Sequence, residues 1–162
     1  MNMNKYERLN QQKKYRSEKS FSGKKRVAAY CRVSTEKEEQ AQSFESQCDF
    51  FRCYIEQKKE WEFYKVFADE GISGTSTKKR EQFNRMIAEQ RKFDLLITKG
   101  ISRFARNTLD SIYYTRELRK VGVGVLFLND GINTLDGDAE LRLSIMASIA
   151  QEESRKTSER VK

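Results

Sequence analysis

The sequence predicts an α/β fold: a mainly parallel sheet of four to five strands, helices on both faces, and a long C-terminal helix. Three observations predict it. Short runs rich in apolar or aromatic residues recur at Val27–Val33, Trp61–Ala68, Asp94–Thr98 and Val121–Leu128. Between them lie segments whose apolar residues are three and four positions apart, the period of a helix with one buried stripe. Strands alternating with helices of this length imply right-handed crossovers, hence parallel neighbours and a sheet covered on both sides.

The elements follow in order. Residues 1–26 carry nine basic and two acidic side chains, have no apolar period, and read as a disordered basic arm. The α/β core is expected over residues 27–137. Val27–Val33 is its first strand. Phe44, Cys48, Phe51 and Ile55, spaced four, three and four apart, mark a helix with Ser43 as its N-cap. Trp61–Ala68 is the second strand. Asp69–Arg80, with Gly71, Gly74 and several hydroxyl residues, is a loop. Glu81–Arg91 has Phe83, Met86 and Ile87 at helical spacing, and Asp94–Thr98 is a short buried strand. Lys99–Arg106 reads as a loop, with Asn107 capping a helix that runs to Lys120. Val121–Leu128 is a further strand and Asn129–Gly137 a loop. From Asp138 a helix begins with Leu141, Ile145, Met146 and Ile149 on one broad face. It has no stop signal, so residues 138–162 are expected to be the start of a longer helix, cut from a longer protein.

Composition removes several chemistries. The net charge is +8, but the arm holds most of it; of 32 basic and 24 acidic residues, 23 and 22 remain outside the arm, a net of +1. Phosphate affinity in the body must therefore come from the placement of charge. There is no histidine, which removes Ser-His-Asp triads and most zinc sites. Cys31, Cys48 and Cys53 lack CxxC spacing and read as free thiols of a reducing cytosol, with Cys48 and Cys53 as small core or boundary residues of a helix. No apolar run approaches the ~20 residues of a membrane span. A cytoplasmic protein without membrane, metal or cofactor is expected.

In open parallel sheets, sites form at the carboxyl ends of the strands. The polar segments after Val33, Ala68 and Thr98 would converge there. Tyr30, Arg32 and Ser34 alternate, so they share one face of the first strand. This places a serine beside a fixed positive charge at a strand end. Arg103 and Arg106 are three apart and lie on one side of a turn or helix start. Arg80, with Asp69 upstream, forms a third group. Each cluster alone has a bland reading, a structural arginine or a solvated surface pair. Together they place four arginines and one serine near the strand ends. Guanidinium is permanently charged and forks onto phosphate oxygens. Phosphoryl transfer depends mainly on positioning and on stabilising charge at the nonbridging oxygens. A serine among arginines suits attack on a phosphodiester better than attack on an amide.

The ordered set Tyr30-x-Arg32-x-Ser34, Ser43 and Gln47, Asp69 with Ser73-Gly74, Arg80, Ser102-Arg103-Phe104-Ala105-Arg106-Asn107 and Glu153 resembles the resolvase/invertase superfamily of serine recombinases. The Ser-Arg-Phe-Ala-Arg-Asn run is similar to the large branch, which serves phage integration and transposon excision. The resemblance extends from about Lys25 to the C-terminus. It implies that Ser34 is the nucleophile and that Arg32, Arg80, Arg103 and Arg106 bind the scissile phosphate. It further implies that Asp69 orients an arginine and that Tyr30, Gln42, Gln47 and Glu153 support the site. By the same resemblance the partners are double-stranded DNA attachment sites, with a homodimer assembling into a homotetramer through the last helix, and an accessory directionality factor. The chemistry is a 5′-phosphoserine link followed by strand exchange and religation, without cofactor. Two departures stand out. Ser102 occupies the place of an aspartate in small resolvases, and Ser154 that of an arginine. Two other readings of the residues stay open: a noncatalytic α/β regulatory module and a serine-dependent phosphotransferase acting on small molecules.

Overall fold

A computed structural model describes residues 23–33, 44–70, 80–105 and 107–161. Ser34, Gln42, Ser43, residues 71–79 of the expected loop, Arg106 and the arm up to residue 22 lie outside the described residues.

Five strands form one sheet in the order β2-β1-β3-β4-β5. They are β1 (Lys25–Val33), β2 (Trp61–Glu70), β3 (Leu95–Thr98), β4 (Gly124–Phe127) and β5 (Ile132–Asn133). The first four pair in parallel and β5 is antiparallel to β4. The helices are α1 (Phe44–Glu56), α2 (Glu81–Ala88), α3 (Ile101–Phe104), α4 (Thr108–Lys120) and α5 (Ala139–Arg160). A 3₁₀ turn at Gln90–Lys92 follows α2.

Alternation along β1 builds two cores. Val27, Ala29 and Cys31 pack with Phe51 and Ile55 of α1, and with Leu95 and Ile97 of β3. Ala28 and Tyr30 face the other side, among Phe83 and Met86 of α2, Phe104 of α3, Ile112 and Leu118 of α4, and Leu143 of α5. The sheet is thus covered on both faces, as its doubly apolar strands require.

Four expectations need correction. The first strand begins at Lys25, inside the segment read as the arm. Val121–Leu128 shortens to Gly124–Phe127, because Val121 and Gly122 form the turn that ends α4, with Gly122 at φ +81°. The two segments read as loops each hold a short element. Residues 101–104 make α3, whose first N–H is accepted by Asp130 Oδ2 at 2.8 Å. Ile132–Asn133 makes β5, an edge strand too short to show a period of two.

The last helix also divides differently. Ala139 and Leu143 are the residues it buries, and Met146 and Ala147 pack partly against the core. Leu141, Ile145 and Ile149 are more than half exposed and form a separate apolar stripe. No helix of the described residues is long and apolar enough to cross a membrane.

Candidate active site

A cleft opens at the carboxyl ends of β1 and β3. Tyr30, Cys31, Arg32, Gln47, Thr98, Lys99 and Arg103 line it. Each residue comes from a different constraint. Tyr30 and Arg32 sit on β1. Gln47 comes from the second turn of α1. Thr98 ends β3 and Lys99 follows it.

Arg103 is carried by α3, a single turn that could not persist by itself. Ser111 Oγ of α4 accepts the Ala105 N–H at 3.0 Å and donates to the Ile101 carbonyl at 2.6 Å, holding both ends of that turn. Asn107 then caps α4, its Oδ1 accepting the Asp110 N–H at 2.8 Å, as its place before the helix predicts. Buried Ile101 and Phe104 fix the inner side of α3 and leave Ser102 and Arg103 outside.

Behind the cleft lies a buried polar relay. The Tyr30 hydroxyl donates to Asp69 Oδ2 at 2.9 Å. Arg80 Nη2 donates to the Tyr30 hydroxyl at 2.8 Å and to the Phe104 carbonyl at 2.6 Å. Asp69 also accepts the Gln82 and Phe83 N–H groups at 3.0 and 3.1 Å, so it caps α2 from a neighbouring strand. Arg80, at the N-cap position itself, makes no side-chain cap. The relay ties β1, β2, α2 and α3 together in the layer beneath Arg32 and Arg103. Burial pushes the Tyr30 phenol well above its usual range; Arg80 opposes that and Asp69 adds to it. Tyr30 is therefore a neutral hydrogen-bonding group at physiological pH.

Asp69 reaches this face because β2 carries an irregularity. Val27 pairs with Phe63 but Ala28 pairs with Lys65, so Tyr64 is an extra residue. Such a bulge shifts the alternation of the strand by one. Phe63 packs on the α1 side, whereas beyond the bulge Phe67 packs on the Tyr30 side, and Asp69 lies opposite Arg32.

Four of the residues singled out in the sequence thus line one cleft: Tyr30, Arg32, Gln47 and Arg103. Asp69 stands one layer back and reaches Arg80 through the Tyr30 hydroxyl. Arg80 is not at the cleft surface. It is 5 % exposed, with its guanidinium against the rings of Phe83 and Tyr30 at 4.5 and 5.5 Å. Its Nε has no hydrogen-bond partner in this arrangement. Glu153 is not brought to the cluster; it lies on the fully exposed end of α5, where its carbonyl accepts the Thr157 hydroxyl. Cys48 is half-buried as expected, but Cys53 is exposed because it falls off the stripe that Phe51 and Ile55 bury. Cys31, Thr98 and Lys99 are cleft residues that residue-type reasoning passed over. The signal available for Thr98 and Lys99 was their position, at the carboxyl end of a buried strand.

Residues 27–162 match the family described as "Resolvase, N terminal domain". The chain belongs to that family. Among similar proteins, the Transposon Tn3 resolvase of Escherichia coli is 35% identical over 97 residues, which cover 59% of this chain and 51% of the resolvase. A resolvase of Clostridium perfringens is 29% identical over 139 residues, 84% of this chain and 68% of that protein. The chain therefore spans about half the length of the first of these curated relatives. The N-terminal catalytic domain of TP901-1 integrase is similar in structure, with a TM-score of 0.65 and 26% identity, covering 81% of this chain and 98% of that one. A resolvase family site-specific recombinase from Streptococcus pneumoniae has a TM-score of 0.67 and 27% identity, covering 85% of this chain and 93% of the other. Membership in the resolvase family agrees with the expected fold, a mainly parallel sheet of four to five strands between helices with a long C-terminal helix; the sheet has five.

Proposed function

We propose that this chain is the catalytic domain of a serine-type site-specific DNA recombinase, with Ser34 as nucleophile. The observation that carries the reading is the cationic cleft at the end of β1. That strand stops at Val33, one residue before Ser34; Arg32 near its end and Arg103 from α3, far along the chain, line the same opening. In the proposed step the Ser34 oxygen bonds to phosphorus as the bond from phosphorus to the 3′ oxygen breaks. The serine gives up its proton, the 3′ oxygen takes one, and the 5′ phosphate stays on the protein as a phosphoserine ester. The reverse reaction with a 3′ hydroxyl of another half-site rejoins the strands. The ester conserves the bond energy, so no cofactor or external energy source is required.

Arg32, Arg103 and Arg106 act on the nonbridging oxygens, where preorganised donors contribute most. Gln42 and Gln47 support the phosphate side. Arg80 acts through position: it holds Tyr30 and the Phe104 carbonyl at the base of α3. Duplex DNA attachment sites are the substrate, and the protein works in the cytoplasm as a dimer that pairs into a tetramer. The exposed stripe of Leu141, Ile145 and Ile149 supports the oligomer, since apolar side chains four apart form a ridge that packs into the groove of another helix.

The test is denaturing electrophoresis of the complete protein with its attachment-site DNA. A covalent adduct is expected from the wild type and none from Ser34→Ala, with DNA binding retained. An adduct of normal yield from Ser34→Ala would eliminate Ser34 as the nucleophile.

A further inference from the structure

The cleft holds a third cation that the sequence motifs do not name. We propose that Lys99 contacts a nonbridging oxygen of the scissile phosphate, beside Arg32 and Arg103, and so is a further catalytic residue. This rests on the recombinase reading above.

The placement of Lys99 is fixed by its main chain. The Thr98 carbonyl accepts the Leu128 N–H at 3.0 Å and the Lys99 carbonyl accepts the Asn129 N–H at 2.7 Å. The root of the side chain is thereby held between the ends of β3 and β4. Lys99 is only partly exposed, and its ammonium lies 5.8 Å from the Phe50 ring of α1, on the side from which Gln47 enters the cleft. A solvated surface lysine has neither restraint.

The charge pattern identifies the ligand class. Arg32 from the end of β1, and Lys99 and Arg103 from the stretch that follows β3, reach one cleft, and no carboxylate is among the lining residues described. Cations gathered at one partly desolvated cleft raise its potential and favour an anionic ligand there. The neutral lining groups, Tyr30, Gln47 and Thr98, can accept or donate hydrogen bonds without cancelling that field. A phosphodiester fits such a site. Its two nonbridging oxygens gain charge in the transition state; forked guanidiniums bind in a plane, and a compact ammonium fills the remaining direction as a point charge.

The experiment compares Lys99→Met, Lys99→Gln and Lys99→Arg in the complete protein, on a nicked attachment-site duplex that traps the cleaved product. Met keeps the length and apolar stem of the side chain, Gln keeps polarity, and Arg keeps charge. Loss of one such contact is expected to slow adduct formation about 10²-fold in Met and Gln, with thermal unfolding unchanged. Arg should recover to within about tenfold of wild type, since charge matters more than shape at a point contact. Two results would overturn the assignment: Met or Gln cleaving at the wild-type rate, or Arg as slow as Met while all variants fold and bind DNA. Failure of the wild type to form any adduct would instead remove the recombinase reading, and this assignment with it.

Discussion

Replacement of Asp69 by alanine is expected to destabilise the fold strongly, although Asp69 lies off the surface where chemistry is proposed. Its carboxylate is 4 % exposed and accepts three hydrogen bonds, from the Tyr30 hydroxyl and the Gln82 and Phe83 N–H groups. Each buried donor left without an acceptor costs about 1–3 kcal/mol. The Gln82 N–H is only partly buried, so water recovers some of that loss. The two amide groups together resemble a lost helix cap, about 1–2 kcal/mol, and the orphaned Tyr30 hydroxyl adds a comparable amount. The total is about 2–4 kcal/mol, a large part of the ~5–15 kcal/mol that holds an ordinary domain together. Asp69→Asn keeps an acceptor oxygen for the helix and should cost about 1–2 kcal/mol. The check is urea unfolding followed by circular dichroism. With a slope of about 1–3 kcal/mol/M, Asp69→Ala should lower the midpoint by about 2 M. The mechanism makes a second demand. In a Tyr30→Phe background the hydroxyl is already gone, so the further cost of Asp69→Ala should shrink by about 1 kcal/mol. A midpoint for Asp69→Ala within about 0.3 M of wild type, or strict additivity with Tyr30→Phe, would refute the relay as a determinant of stability.

Three further outcomes are expected. Arg103→Lys and Arg106→Lys should each slow strand cleavage by about 10²–10³, because lysine retains charge but loses the planar fork; rates within a few-fold of wild type would mark these residues as a solvated pair. Thiol alkylation at pH 8 should label exposed Cys53 readily and Cys31 hardly at all, because burial, helped by the neighbouring Cys48, pushes the Cys31 thiol up to about 12. The folded chain keeps that proton after the unfolded chain has lost it, so stability should fall as pH rises from about 9 towards 12. Peptide mapping showing equal labelling of Cys31 and Cys53 in the folded protein would contradict this picture.

The sequence by itself determined the features that depend on local period and residue chemistry. The parallel strands are legible because β1 and β3 are apolar on both faces, and α1 and α4 because their buried residues recur at helical spacing. The Asn107 cap is legible because one side chain satisfies one nearby N–H. The cationic character of the site is legible because arginine is charged in any environment, and a strand that alternates Tyr30 and Arg32 puts both on one face. Other features depend on distant partners, and only the tertiary structure decided them. The extra residue at Tyr64 turns Asp69 onto the Tyr30 face, and that register is set by pairing with β1. Turn α3 exists because Ser111 and Asp130 satisfy its ends from elsewhere in the chain. Arg80 reads in sequence as another phosphate ligand, yet the Tyr30 hydroxyl and the Phe104 carbonyl hold it inside the core. Lys99 carries no motif at all; it belongs to the cleft because β3 lies beside β1 in the sheet, with Arg32 at the end of one strand and Lys99 just beyond the other. A charged side chain announces what it can bind, but which charges face the same few ångströms of space is settled by strand order, register and the hydrogen bonds that fix each turn.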